Sequence, residues 1–210
     1  MARIPLSKSQ LAREKENLAS YNRYLPALDL KRQQLMAARN SARAERARLE
    51  RELAELLRTV GAELPMLADR RVDLDGLVRL AELRLGTANV AGVRVPKVEA
   101  VEVTTAPYGR MVRPHWVDAL AVRLAEGVRL RAEIAVAAER VAVLDQAVTK
   151  ITQRVNLFEK ILKPEAEANI RRILVHLGDA ERAAVVGAKI AKTKREIEAA
   201  RTAAEGAGGP

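Results

Sequence analysis

The chain has 210 residues, of which 49% are hydrophobic, 30% charged and only 2% aromatic, and its formal net charge is +10. It is rich in Ala, Leu, Glu and Arg, strong helix formers that pack narrow seams and fill a thick core poorly, so long helices are favoured over a compact globule. The absence of Cys excludes disulfides and thiolate metal sites, and no apolar run approaches the roughly 20 residues of a membrane-spanning helix.

The surplus positive charge suits a nucleic-acid partner, an anionic membrane surface or an acidic protein cavity. Arg and Glu nevertheless alternate over most of the length, which is the pattern of a solvated helix face. The start, Met1-Ala2-Arg3-Ile4-Pro5, lacks the apolar stretch of a secretory signal, and a cytoplasmic location is expected.

The first predicted element is a helix over 6–60, opened by Pro5 with Ser7 or Ser9 as a cap. Leu11, Leu18 and Leu25 lie one heptad apart, and Leu28, Leu35, Leu49 and Leu56 occupy the alternating position of the same seam. Arg32, Arg39 and Arg46 fall on seam positions, where they either open the pairing locally or face another partner. Pro26 interrupts the hydrogen-bond ladder and is expected to kink or loosen it. Tyr21 falls on the apolar seam, where packing is a better account than base stacking.

Residues 61–115 form a different kind of segment, bounded by Gly61, Pro65, Pro107, Gly109 and Pro114. Val72 to Leu85 reads as a short amphipathic helix ended by Gly86. Val93/Val95 and Val101/Val103 alternate with polar residues and predict a small β-hairpin, with Pro96 at an edge or turn.

A second long helix is predicted over 116–203, anchored by Trp116, followed by a flexible tail over 204–210. Val141, Leu144, Val148, Ile151, Val155, Phe158 and Leu162 follow a 3-4 rhythm, and Pro164 is expected to bend the helix before Ile170, Ile173 and Leu177 resume it. The predicted fold is therefore mainly α, a long antiparallel two-helix coiled coil from the N- and C-terminal helices. A small central insert, a short helix plus a β-hairpin, interrupts it. The first helix is shorter than the last, so part of the last must pack on the insert or on a partner.

No catalytic constellation is visible, and no cofactor is expected. There is neither a G-x-x-x-x-G-K-[ST] phosphate loop nor a G-x-G-x-x-G, and Gly187-Ala188-Lys189 lacks the upstream Gly and the strand that such a loop needs. His115 and His176, the only histidines, lie on different elements and do not suggest a metal pair. Asp73-Leu74-Asp75-Gly76 opens like a calcium loop, but the closing Glu is absent, Arg84 standing there instead, and a helix cap is the better reading.

Four stretches carry a resemblance. Thr152-Gln153-Arg154-Val155-Asn156-Leu157-Phe158-Glu159, with Pro164 beyond it, is similar to the Thr-x-Arg-Arg-Val-Asn-Ala-Leu-Glu signature of the V-type ATPase D-subunit family. Aligned on Arg154-Val155-Asn156, Gln153 stands in place of the first Arg and Leu157-Phe158 in place of Ala-Leu, and Thr152 lies one position nearer than the signature's Thr. Ile4-Pro5-Leu6-Ser7-Lys8 and Leu28-Asp29-Leu30-Lys31-Arg32-Gln33-Gln34-Leu35 resemble that family's opening and its Leu-Lys-x-Lys-Arg-x-x-Leu block, with Asp29 in place of a commonly basic residue. Val95-Pro96-Lys97-Val98 resembles its hairpin region.

The resemblance implies a non-catalytic rotor shaft, the central stalk of a rotary ATPase that couples ATP hydrolysis or synthesis to ion translocation, hydrogen ion transport among the possibilities. It further implies as partners a hexamer of A and B subunits, a small F subunit and a funnel-shaped subunit above the membrane ring, so that membrane association runs through the complex alone. From the family motifs and the basic seam, Lys31, Arg32, Arg39, Arg43, Arg46, Arg154, Asn156 and Glu159 are the expected partner contacts. The competing reading is a basic coiled-coil protein that binds nucleic acid or acts as a scaffold. It predicts cations gathered on one face, whereas Glu45, Glu50, Glu52 and Glu55 are mixed among them.

Overall fold

The computed structural model describes residues 4–68, 72, 74–109 and 113–206. In chain order they form helix α1 (Lys8–Glu63), a 3₁₀ turn (Pro65–Ala68), strands β1 (Val78–Val90) and β2 (Val93–Thr105), and helix α2 (Trp116–Leu157). A π turn (Phe158–Leu162) and helix α3 (Lys163–Gly206) follow. The fold is mainly helical with a central antiparallel two-stranded hairpin, as predicted. It divides into two units, Leu28–Arg154, and Met1–Ala27 with Val155–Pro210.

In the unit Leu28–Arg154, α1 and α2 pair antiparallel. Leu35, Ala42, Leu49 and Leu56, each seven residues from the next, are buried, and so are Val141, Leu144, Val148 and Ile151 of α2. Ala42 belongs to this seam although only its larger neighbours stand out in the sequence; small residues let the helix backbones approach. Ion pairs cross the seam in opposite numerical order, Arg43 to Asp145 at 2.8 Å, Arg140 to Glu45 at 2.7 Å and Arg123 to Glu63 at 3.5 Å.

The hairpin lies on this helix pair. Val95 is 2% exposed and packs in one cluster with Leu35, Ala42 and Leu144. Trp116, Val117 and Leu120 at the start of α2 form a second cluster with Leu64 and Leu77. Trp116 thus anchors α2 to the insert, in the role its position suggested.

The insert corrects one expectation. Val78 to Leu85 is not helical but belongs to β1, which pairs with the whole of β2. Val93/Val95 and Val101/Val103 therefore lie on the same strand, and the turn is Ala91-Gly92. The register shifts between Leu80 and Glu82 and shifts back between Arg84 and Leu85, so Ala81 and Glu99 are the extra residues of two compensating bulges. Pro96 stands opposite Thr87, on a strand whose outer edge needs no N–H. The proposed cap at Asp73 lies outside the described residues.

In the unit Met1–Ala27 with Val155–Pro210, α1 and α3 again run antiparallel. Lys8 reaches Glu181 at 3.8 Å, and the rings of Tyr21 and Phe158 meet edge to face with centroids 5.4 Å apart. Val155, Ala166 and Ile173 are buried, with Glu14 and Asn169 among them. Gln10 Nε2 donates to Glu14 Oε1 at 2.9 Å, which satisfies part of that buried carboxylate.

Pro164 acts through the turn before it. Having no N–H, it leaves Lys160 O without its usual i+4 donor, and its ring would crowd that carbonyl in a regular helix. The chain instead makes a π turn, in which Lys163 N–H donates to Phe158 O, five residues back. Helix α3 continues through Gly206, so 204–206 are helical where a tail was expected, and 207–210 lie outside the described residues.

Candidate partner-binding surfaces

The residues singled out in the sequence separate into two groups. Four of the arginines are held by acids of the chain itself. Arg32 lies 2.9 Å from Asp29, one helical turn away, and Arg46 Nε donates to Glu50 Oε1 at 2.7 Å. Arg43 Nη2 donates to both oxygens of Asp145 at 2.8 and 3.0 Å, and Arg39 stands 3.8 Å from the same carboxylate. Asp145 thus gathers the seam residue Arg39 and its neighbour Arg43, which explains how the seam tolerates a cation there. These cations are neutralised along the helix pair rather than massed on one face, contrary to what the nucleic-acid reading predicts.

The same holds for exposed pairs. The Arg58 guanidinium, hydrogen-bonded to Glu55, holds that carboxyl below its ordinary range, and Arg84 does the same to Glu82 on β1. Such screened surface pairs contribute little to stability.

Lys31 and Arg154 form the second group. Both line a cleft of about 300 Å³ beside the hairpin turn, together with Lys150, which the sequence did not single out. The turn reaches this place because Ala91 (φ 49°) and Gly92 (φ 80°) both take left-handed conformations, the geometry of a tight two-residue hairpin loop. Asn89 Oδ1 accepts from Gly92 N–H at 2.8 Å and closes the turn. A Cβ at Gly92 would meet Lys31 Nζ at 3.3 Å. Asn156 is half-buried and Glu159 exposed, the latter within the π turn.

Two apolar surfaces complete the picture. Between α1 and α2 a groove of about 190 Å³ is lined by Leu53, Leu57, Val60, Leu124 and Val128, with Leu57 63% exposed. On α3, every described side chain from Asp179 to Ala199 is exposed. Val186, Ile190 and Ile197 there share one helix face and are each more than half exposed, at 57%, 54% and 64%. Helix α1 begins beside Glu181, so the later part of α3 has no α1 residue to lie against.

Among the described residues, no group of three or more His, Asp or Glu side chains could hold a metal ion, and no helix is long and apolar enough to cross a membrane. What the described residues offer is contact surfaces.

Comparison with known proteins agrees with the geometry. The family model for the D subunit of ATP synthase matches residues 10–193. The V-type ATP synthase D subunit of Borreliella burgdorferi is 30% identical over 200 residues, covering 92% of this chain and 95% of that protein. The protein of the same name from Chlamydia pneumoniae is 30% identical over 203 residues, 94% of this chain and 96% of its own length. That from Chlamydia muridarum is 31% identical over 198 residues, with 92% and 96% covered.

Proposed function

The chain belongs to the ATP synthase D-subunit family, and from that premise we propose that it is the central-stalk, rotor-shaft component of a V-type ATPase or ATP synthase. In this role it performs no chemistry. It couples ATP hydrolysis or synthesis in a hexamer of A and B subunits to ion translocation through a membrane ring.

The observation that carries this reading is the unpaired part of α3. A solvent-exposed helix with Val186, Ile190 and Ile197 on one face is a poor solution on its own, because isolated helices draw most of their stability from packing that face. Inserted into the bore of a hexamer it acquires successive partners. Its apolar residues are few and separated by Lys and Glu, which favours weak, replaceable contacts over one sticky anchor, as a turning shaft requires. The α1–α2 pair supplies the stiffness that torque transmission needs.

The remaining partners take other surfaces. The groove at Leu57 suits a helix of a small partner such as F, and the insert end suits the funnel-shaped component. The complex would lie at the cytoplasmic face of the membrane and hold this chain there through its partners.

The test is reconstitution with the A and B subunits of the same source and a bead fixed to the insert. ATP-dependent rotation of the bead is expected. A hexamer that hydrolyses ATP while this chain stays outside it overturns the reading.

A further inference from the structure

Three cations gather around the hairpin turn. Lys31 comes from α1, Lys150 and Arg154 from α2, and Gly92 brings the turn between them. No acidic residue lines this cleft, and none of the three cations makes an ion pair with a described residue. Arg43, Arg140 and Arg46 are each paired with an acid, at Asp145, Glu45 and Glu50, whereas here three unpaired cations line one concave site. A concave site with one sign of charge and partly apolar walls focuses its field and draws counter-charge.

We propose that this cleft is a docking site for an acidic segment of a partner protein, with side-chain carboxylates on Lys31, Lys150 and Arg154. A peptide fits better than a free phosphate for two reasons. Phosphate sites are commonly built from converging backbone N–H groups, but Gly92 N–H, the donor at the tip of this turn, is already taken by Asn89 Oδ1. The cleft floor is also apolar, formed by Leu35, Val93 and Ile151, which suits the carbon stems and backbone of an acidic peptide. Arg154 adds a planar fork able to take a carboxylate through two parallel bonds.

The site couples the partner to the hairpin. A carboxylate held between Lys31 of α1 and Arg154 of α2 spans both helices and lies against the turn, so an acidic segment would clamp all three elements. That the partner comes from the same ATPase rests on the rotor reading; the acidic chemistry of the segment does not.

The experiment is fluorescence anisotropy of a labelled peptide alternating Glu and Ala, titrated with the full-length chain. The variant K31Q/K150Q/R154Q is compared with R13Q/K15Q/R23Q, which makes the same change in net charge on exposed residues of α1 outside the cleft. About tenfold weaker binding is expected for the cleft variant, and less than about twofold for the control, since lost exposed charges cost little singly. Lys150→Glu alone, at an exposed position, is expected to weaken binding by about fivefold or more through charge reversal. Equal losses in the two triple variants would overturn the proposal, because general attraction then explains binding. Displacement of the peptide by millimolar inorganic phosphate would overturn it too, in favour of a small-anion site. Co-assembly with A and B subunits is scored separately, so loss of cleft specificity with assembly intact sinks the docking site and leaves the rotor reading standing.

Discussion

Arg140 of α2 holds the carbonyl of Pro96. Its Nε donates to Pro96 O at 3.0 Å while Nη1 donates to Glu45 at 2.7 Å, so one guanidinium ties β2, α1 and α2 together. The carbonyl it takes belongs to the one residue of β2 that has no N–H to give. Beside it, Val95 is the most deeply buried residue of the hairpin. The two side by side fix the hairpin on the helices, one by packing and one by hydrogen bonding.

Arg140→Ala is therefore expected to loosen the hairpin while the helices persist. The loss should be about 1–2 kcal/mol, a charge-assisted bond discounted for the exposure of Glu45. Hydrogen exchange would show it as faster exchange along β2 with the amides of Val141 to Ile151 still protected. Arg140→Lys keeps the charge but loses the two-directional fork and should rescue little. Unchanged β2 protection in the Ala variant would mean that Val95 alone seats the hairpin.

Two glycines should respond oppositely to Ala. Gly92 sits at φ 80°, and a Cβ there approaches Lys31 Nζ to 3.3 Å. Gly92→Ala is expected to cost about 1–2 kcal/mol through left-handed strain. Gly187 lies inside α3 with nothing within 4 Å of an added Cβ. Gly187→Ala is expected to raise helicity, with a gain approaching roughly 1 kcal/mol where that segment melts locally. Circular dichroism during urea unfolding reads both.

The seam was legible because its signal is a long repeat: Leu35, Leu49 and Leu56 sit where the heptad put them. Strand β1 was not, for a local reason. Val78, Leu80, Leu83 and Leu85 would alternate cleanly but for the extra residue Ala81, and that bulge turns a period of two into something helix-like. Arg79, Glu82 and Arg84 are themselves good helix formers, and pairing with β2 overrides that preference. The site divided the same way. Family motifs led to Lys31 and Arg154, but Lys150 joins them only through a fold that brings the Ala91-Gly92 turn to the same place. Arg39 and Arg43 looked free in the sequence because their acid, Asp145, lies on the other helix.

Core and partner faces should separate experimentally. Leu144 is 1% exposed, and Leu144→Ala is expected to destabilise the isolated chain by about 2–5 kcal/mol, transfer and cavity together. The double variant V186S/I190S removes exposed apolar groups of α3 and should change global stability by less than about 0.5 kcal/mol. If α3 docks in a hexamer, that same variant should weaken assembly with A and B subunits by about tenfold, two small apolar contacts being lost. Urea denaturation and assembly titration together give the pattern. Normal assembly by the serine variant would show that this face of α3 carries no contact.

The π turn makes the sharpest prediction, because it is written in the spacing of the seam. From Phe158 through Leu162 to the buried Ala166 the steps are four and four, where a 3-4 rhythm calls for four and three. One residue is surplus, and the bond from Lys163 N–H to Phe158 O, five residues back, is the turn that absorbs it. Deleting Lys160 together with Pro164→Ala should therefore restore a regular helix and leave Ala166, Asn169 and Ile173 on the buried face. Stability should change by less than about 1 kcal/mol. A single deletion of Ala142 has no such surplus to remove. It rotates the following residues of α2 by about 100° and moves Leu144, Val148 and Ile151 off the seam, so loss of the cooperative transition is expected. Thermal unfolding of the two deletions decides the matter. If the Lys160 deletion is as damaging as that at Ala142, the π turn is not an inserted residue but a fixed part of how α3 meets α1.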